Sequence, residues 1–204
     1  INRTKARHII TIEDPIEFAH QEHQSLIHQR EVGADVESFS TGLRASLREN
    51  PDVILLGEMR DLPTISAALT AAETGHLVLS TLHTGSATAA INRIIDVYPG
   101  HQQTHVRIQL AASLKAVVSQ RLIHTKNRSG RTPAIEKLLV NAAIANSIRD
   151  GHEHHMKSTM QTSAEAGMIT LERSLATLVY RGTITRDDAY RHADDPQALE
   201  KLLE

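Results

Sequence analysis

The first hundred residues alternate between short apolar runs and amphipathic stretches. HIITI at 8–12 is rich in β-branched residues and ends at Asp14-Pro15, the pattern of a buried strand with acids at its end. Residues 17–28 are polar and predict a loop, and 29–32 a short strand. Phe39, Leu43 and Leu47 share one face of a helix predicted over 38–50, which Pro51 stops. DVILLG at 52–57 is apolar almost throughout, as a central parallel strand buried on both faces requires. A helix over 62–74 ending at Gly75, a strand over 76–82 and a helix over 86–97 with Ser86 as its N-cap complete the series. This alternation predicts an α/β fold with a mostly parallel sheet. After Pro99-Gly100 the pattern changes to a helix over 101–114 and two strands, 117–123 and 132–140, paired antiparallel across the NRSG turn. From Asn141 the chain is helical: 142–149 ending at Gly151, then 153–162, 170–180 and a short helix from Thr185 to 192. Residues 195–204 are expected to be a polar tail carrying Leu199, Leu202 and Leu203, and the leucines near the C-terminus suit core or intersubunit packing better than a membrane face. The division expected is 1–140 as the α/β core and 141–204 as a small helical region.

Composition narrows the function more than the fold. With 204 residues, 40% hydrophobic and 23% charged, the chain suits one domain or one domain with an appendage. It is too globular for a disordered tail and too polar for a membrane protein. Lys and Arg number 22 against 24 Asp and Glu, a net charge of -2, so no broad basic field holds nucleic acid. Only 2% of residues are aromatic and Trp is absent, which disfavours stacking platforms for single strands. The absence of Cys excludes disulfides, thiolate metal sites and thiol nucleophiles. Residues 1–7 are polar and basic, unlike a signal peptide. No apolar run approaches the ~20 residues a bilayer span needs. The chain opens on Ile rather than Met, which points to a fragment or a processed chain.

Two acid clusters follow predicted buried strands: TIEDPIE, with Glu13, Asp14 and Glu17, and ILLGEMRD, with Glu58 and Asp61. Ligands of open α/β sheets bind beyond the carboxyl ends of the strands, where carboxylates can hold a hard cation such as Mg²⁺ directly or through water. An apolar strand followed by Gly and Glu resembles a Walker B element, whose acid orients or deprotonates the attacking water in phosphoryl transfer. The alternative is structural, since acids after a strand cap the next helix, as Asp61 could. In TGHLVLSTLHT, His83 shares the carboxyl end of its strand with Thr81 and Thr84, where a γ-phosphate sensor has to stand. His76 lies at the opposite end. A strand-end His is also commonly a satisfied structural hydrogen bond. The histidines at 20, 23 and 28, at 101 and 105, and at 152, 154 and 155 form no HExxH or other fixed ligand set.

Together these segments resemble one family. TIEDPIE is similar to the Asp box of secretion-type ATPases, DVILLGEMRD to their Walker B and TGHLVLSTLHT to their His box. The intervening QREVG and LRASLRENPD segments match as well. Within the superfamily the chain resembles the PilT-type retraction ATPases of type IV pili: it lacks the four-cysteine zinc insert usual in extension and type II secretion relatives, and GMITLERSL is similar to a PilT-type C-terminal helix. The resemblance implies a RecA-like ATPase domain in a homohexamer, binding ATP and Mg²⁺ near subunit boundaries. The resemblance further implies a place in the cytoplasm at the inner face of the membrane and a pilus platform protein as partner, without direct contact to nucleic acid. Glu58 is then the catalytic glutamate, with Glu13 a second catalytic acid. Glu13, Asp14 and Glu17 surround metal and water, Thr81 lies at the phosphate, His83 and with it His76 report on the phosphate or the neighbouring subunit, and Arg60 and Arg30 stabilise charge unless they are salt-bridge partners of nearby acids.

The chain departs from this pattern in two places. No G-x-x-x-x-G-K-[ST] occurs, and none of the ten Gly residues precedes a Lys. That loop cradles the phosphates. In the family it lies just before the stretch matching 1–7, so the chain is expected to be the C-terminal part of such a protein, inactive alone. The family's AIRNLIRE helix reads AIANSIRD at 143–150. The alternatives are a traffic ATPase of another secretion or DNA-uptake system and a non-catalytic scaffold subunit that has no P-loop. A nucleic-acid motor also shares the RecA fold, but the charge and the boxes disfavour it.

Overall fold

In the computed structural model, residues 1–152 and 154–204 are described. The elements in chain order are β1 (His8–Glu13), β2 (Leu26–Glu31), α1 (Phe39–Ser46), β3 (Val53–Leu56), α2 (Leu62–Glu73), β4 (Leu77–Ser80), α3 (Ala87–Asp96), α4 (Gly100–Ser113), β5 (Ala116–His124), β6 (Arg131–Leu139), α5 (Ala142–Asp150), α6 (His154–Thr162), α7 (Leu171–Tyr180), α8 (Arg186–His192) and α9 (Pro196–Leu203). They fall into two compact units, one of residues 1–83 and 96–113, the other of 84–95 and 114–204.

The first unit is built on a four-stranded sheet in the order β2-β1-β3-β4. All three pairings are parallel, with Ile12 beside Leu56 and Leu56 beside Ser80, so the carboxyl ends of β1, β3 and β4 open on the same edge. Ile10, Ile12, Ile54 and Leu56 are fully buried, which explains why β3 reads as an unbroken apolar run and β1 as one broken only by Thr11. Each contributes about 1.5–3 kcal/mol by leaving water. Helix α1 begins in a capping box: Ser38 Oγ accepts from the Thr41 N–H at 3.2 Å, and Thr41 Oγ1 accepts from the Ser38 N–H at 3.1 Å. Its Leu43 packs with Ile12, Ile54 and Leu56. Gly42 allows the close approach, because a Cβ there would sit 3.2 Å from both Ile12 Cδ1 and Val36 Cγ2. A 3₁₀ turn, Leu47–Glu49, follows, and Asn50 ends it at φ 51° before Pro51.

In the second unit, β5 and β6 pair antiparallel from Ala116↔Leu139 to His124↔Arg131. Ile123 and Ala134 of this hairpin join Leu171, Leu175, Ala176, Ile184, Ala189, Leu199 and Leu203 in one core. Asn141, Thr170 and Thr185 cap α5, α7 and α8. At α3, Ser86 Oγ accepts from the Ala89 N–H at 3.2 Å, and buried Glu136 accepts from the Ala87 N–H at 3.0 Å.

The α/β class with a parallel sheet is as the pattern predicts. Three local expectations differ. The second strand starts at Leu26 rather than 29, because its hydrogen bonds to β1 carry it through polar positions. The strand expected over 76–82 is only Leu77–Ser80. Residues 195–204 are not an irregular tail: α9 is capped by Asp195 Oδ1 accepting from the Ala198 N–H at 3.0 Å, opens on Pro196 and buries Leu199 and Leu203. The expected packing of the C-terminal leucines holds for Leu199 and Leu203, and the helix that carries them is too short for its periodicity to stand out in a charged stretch. The helix expected over 153–162 is α6, with Glu153 outside the described residues.

Candidate functional site

The edge where β1, β3 and β4 end carries most of the predicted chemistry. Glu58 follows Gly57 directly after β3 and is only 9% exposed. Gly57 donates its N–H to the Ile12 carbonyl at 2.8 Å, and Met59 donates to the Thr81 carbonyl at 3.1 Å. Thr81 donates its hydroxyl to the Gly57 carbonyl. These bonds tie the turn after β3 to both neighbouring strands. The Glu58 carboxylate then meets two cationic or potentially cationic groups. Arg60 Nε lies 2.6 Å from one oxygen and His83 Nε2 lies 3.2 Å from the other. The sequence places Glu58 and His83 on separate segments, and the parallel register brings them together. Ser80 Oγ, at the last position of β4, is buried without a hydrogen-bond partner among the described residues.

Glu13 ends β1. Its Oε1 accepts from Thr11 Oγ1 at 2.6 Å and from Gln29 Nε2 at 2.9 Å. Asp14 and Glu17 are exposed and stand on the irregular segment after it. Among the described residues no three His, Asp or Glu side chains converge as a metal-ligand set.

The two candidate arginines have different settings. Arg60 is 71% exposed and paired with Glu58. Arg30 makes a two-point contact with Glu49, at 2.7 and 2.9 Å. By strand alternation it occupies the opposite face of β2 from Gln29, and so from Glu13. His76 stays at the amino end of β4, its Nδ1 3.0 Å from the Ala71 carbonyl and 3.1 Å from Thr74 Oγ1, a structural pairing. Asp61 accepts from the Thr64 N–H at 2.8 Å and caps α2. At the far end of the sheet, Asp52 is held below the usual carboxylate range by the His8 backbone N–H and then by Arg7.

Two further polar residues at the site, Thr11 and Gln29, lie within the TIEDPIE and QREVG segments but carry no predicted site role. Period-two alternation along β1 puts Thr11 on the Glu13 face, so that one was legible. Gln29 needs the pairing of β2 with β1.

The family model described as type II/IV secretion system protein matches residues 1–192. The chain is 50% identical over 197 residues to the "type IV pilus retractation ATPase PilT" of Pseudomonas aeruginosa, covering 97% of this chain and 57% of that protein. It is 48% identical over 199 residues to the "twitching motility protein" of Neisseria gonorrhoeae, covering 98% of this chain and 53% of that one. Among solved structures, that of the pilus retraction motor PilT with bound ADP superposes with a TM-score of 0.91 at 48% identity, over 98% of this chain and 56% of the other. The chain thus spans about half the length of these relatives.

Proposed function

Because this chain belongs to the type II/IV secretion system protein family, we propose that it is part of a RecA-like hexameric motor ATPase that couples ATP hydrolysis to type IV pilus retraction and twitching motility. The observation that supports this is the convergence of Glu13, Glu58, Thr81 and His83 on one edge of a parallel sheet, in a chain 50% identical to a pilus retraction ATPase. The buried, unpartnered Ser80 hydroxyl on that edge suits a site that receives a polar ligand.

In this reading ATP lies near a subunit boundary with its γ-phosphate beyond the strand ends. The oxygen of a water attacks the γ-phosphorus, Glu58 takes the proton, and ADP leaves with the electrons of the broken bridging bond. Glu58 is pre-held by Arg60 and His83, so nucleotide entry exchanges these contacts: His83 reports on the phosphate, and Arg60 moves from carboxylate to developing phosphate charge. Arg30 has to leave Glu49 to serve the same end. Mg²⁺ bound with ATP neutralises phosphate charge, and Glu13, with Asp14 and Glu17 beside it, would hold it through water. The phosphate-cradling loop is not among these 204 residues, so the activity belongs to a protein that also supplies that loop. The platform protein of the pilus machine, and a place at the cytoplasmic face of the membrane, are part of the same proposal. Among the described residues no helix is long and apolar enough to cross a membrane.

The test is E58Q in the P-loop-bearing protein. Turnover should fall by about 100-fold or more while ATP binding persists, the size of effect that general-base loss produces. Wild-type turnover would remove Glu58 from its role. A wild-type protein that assembles but neither binds nor hydrolyses ATP would favour the scaffold reading instead.

A further inference from the structure

We propose that Gln29 is a positioning residue that sets the carboxylate of Glu13 and the loop after it; this rests on the reading of Glu13 as an acid of the phosphate site. Gln29 lies opposite Thr11 in the register of β1 and β2, so its side chain shares a face with Thr11 and Glu13. Its Nε2 donates to Glu13 Oε1 at 2.9 Å and to the Phe18 carbonyl at 2.9 Å, and its Oε1 accepts from the His20 N–H at 2.7 Å. The partners dictate the orientation of the amide. A carboxylate and a carbonyl only accept, and a backbone N–H only donates, so a flipped amide would break all three bonds.

Thr11 is 2% exposed and holds the same Glu13 oxygen with its hydroxyl. Both restraints therefore act on one oxygen, and the carboxylate cannot rotate without losing two donors. The loop that follows has no regular structure between Asp14 and Leu26. Two side chains of β2 tether it: Gln29 through Phe18 and His20, and Glu31, whose Oε2 accepts from the Ile16 N–H at 3.0 Å. Of these only Gln29 also touches the Glu13 carboxylate. The same amide thus fixes the loop and the acid, and a displacement of one is felt by the other.

The experiment uses the P-loop-bearing protein with Q29E, E13Q and both together. Q29E is isosteric and keeps an oxygen toward the His20 N–H, but it replaces the donor with a carboxylate oxygen facing Glu13 and the Phe18 carbonyl. Expected are a fall in kcat of about tenfold or more with the KM for ATP changed less than about twofold. Faster amide exchange across 14–25 should accompany it, and the double variant should be no worse than E13Q. Wild-type kcat in Q29E beside a dead E13Q overturns the positioning role and leaves the acid reading standing. Wild-type kcat in E13Q overturns that reading itself. Unchanged exchange across 14–25 in Q29E also overturns the proposal, as does a change confined to KM. Should Q29E not fold, Q29M, of similar length and without the amide, carries the same readouts.

Discussion

Asp52 and Glu136 each accept a backbone N–H, yet their surroundings move their protonation in opposite directions. Asp52 is lowered from 3.8 by the His8 N–H and by Arg7. Its contribution to stability is present above 3.8 and is lost as pH falls through the lower folded value. Glu136 is raised from 4.5, first by burial, against which the Ala87 N–H works; Glu172 and Asp194 add to the rise and Lys157 opposes it. Its contribution is present below 4.5 and is lost as pH rises through the folded value. Two variants separate these effects. D52N should lower the melting temperature at neutral pH and lose its effect in acid. E136Q keeps an oxygen for the Ala87 N–H and carries no charge, so it should match wild type in mild acid and gain on it as pH rises. Melting curves across pH check both; a gap for E136Q that is constant with pH would rule out the buried-acid account. At this scale the sequence showed the candidate residues that stand at strand ends: Glu13, Glu58 and His83 follow apolar runs. Gln29 was not, because nothing in QREVG says which strand lies beside it.

Among the elements, α9 offers the sharpest test, since the sequence shows packing leucines there but no helix. Leu199 is fully buried and Leu202 is 38% exposed. L199A should cost about 2–5 kcal/mol, the range for a buried leucine. L202A should stay within about 0.5 kcal/mol, as an exposed position does. Chemical denaturation measures both, and equal, small effects would mean that α9 does not pack. The Asp195 cap adds about 1 kcal/mol, which D195A should remove. The other elements were legible because capping and stop signals bracket them: Ser38 to Asn50, Asp61 to Gly75, Asn141 to Gly151. Strand lengths were less so, because a strand ends where its partner ends. The polar Leu26–Glu31 segment is a strand only because β1 offers it hydrogen bonds.

For the whole molecule, the expectation is set by what the 204 residues contain. They contain the TIEDPIE, DVILLGEMRD and TGHLVLSTLHT segments, span about half the length of the two pilus-motor relatives described above, and hold no G-x-x-x-x-G-K-[ST]. The isolated chain should therefore bind ATP weakly and show no measurable turnover. A titration and a phosphate-release assay decide this, and turnover by the chain alone would mean that another backbone segment cradles the phosphates.

The sequence by itself determined the α/β class, most of the helix ends and the family, because apolar periodicity, caps and box motifs are all local in the chain. Tertiary structure alone decided which polar groups meet. The parallel register placed His83 on Glu58 and Gln29 on Glu13, while strand alternation turned Arg30 to the other face of the sheet and onto Glu49. Such encounters depend on strand order and on which face each side chain takes, and neither is encoded in any one segment.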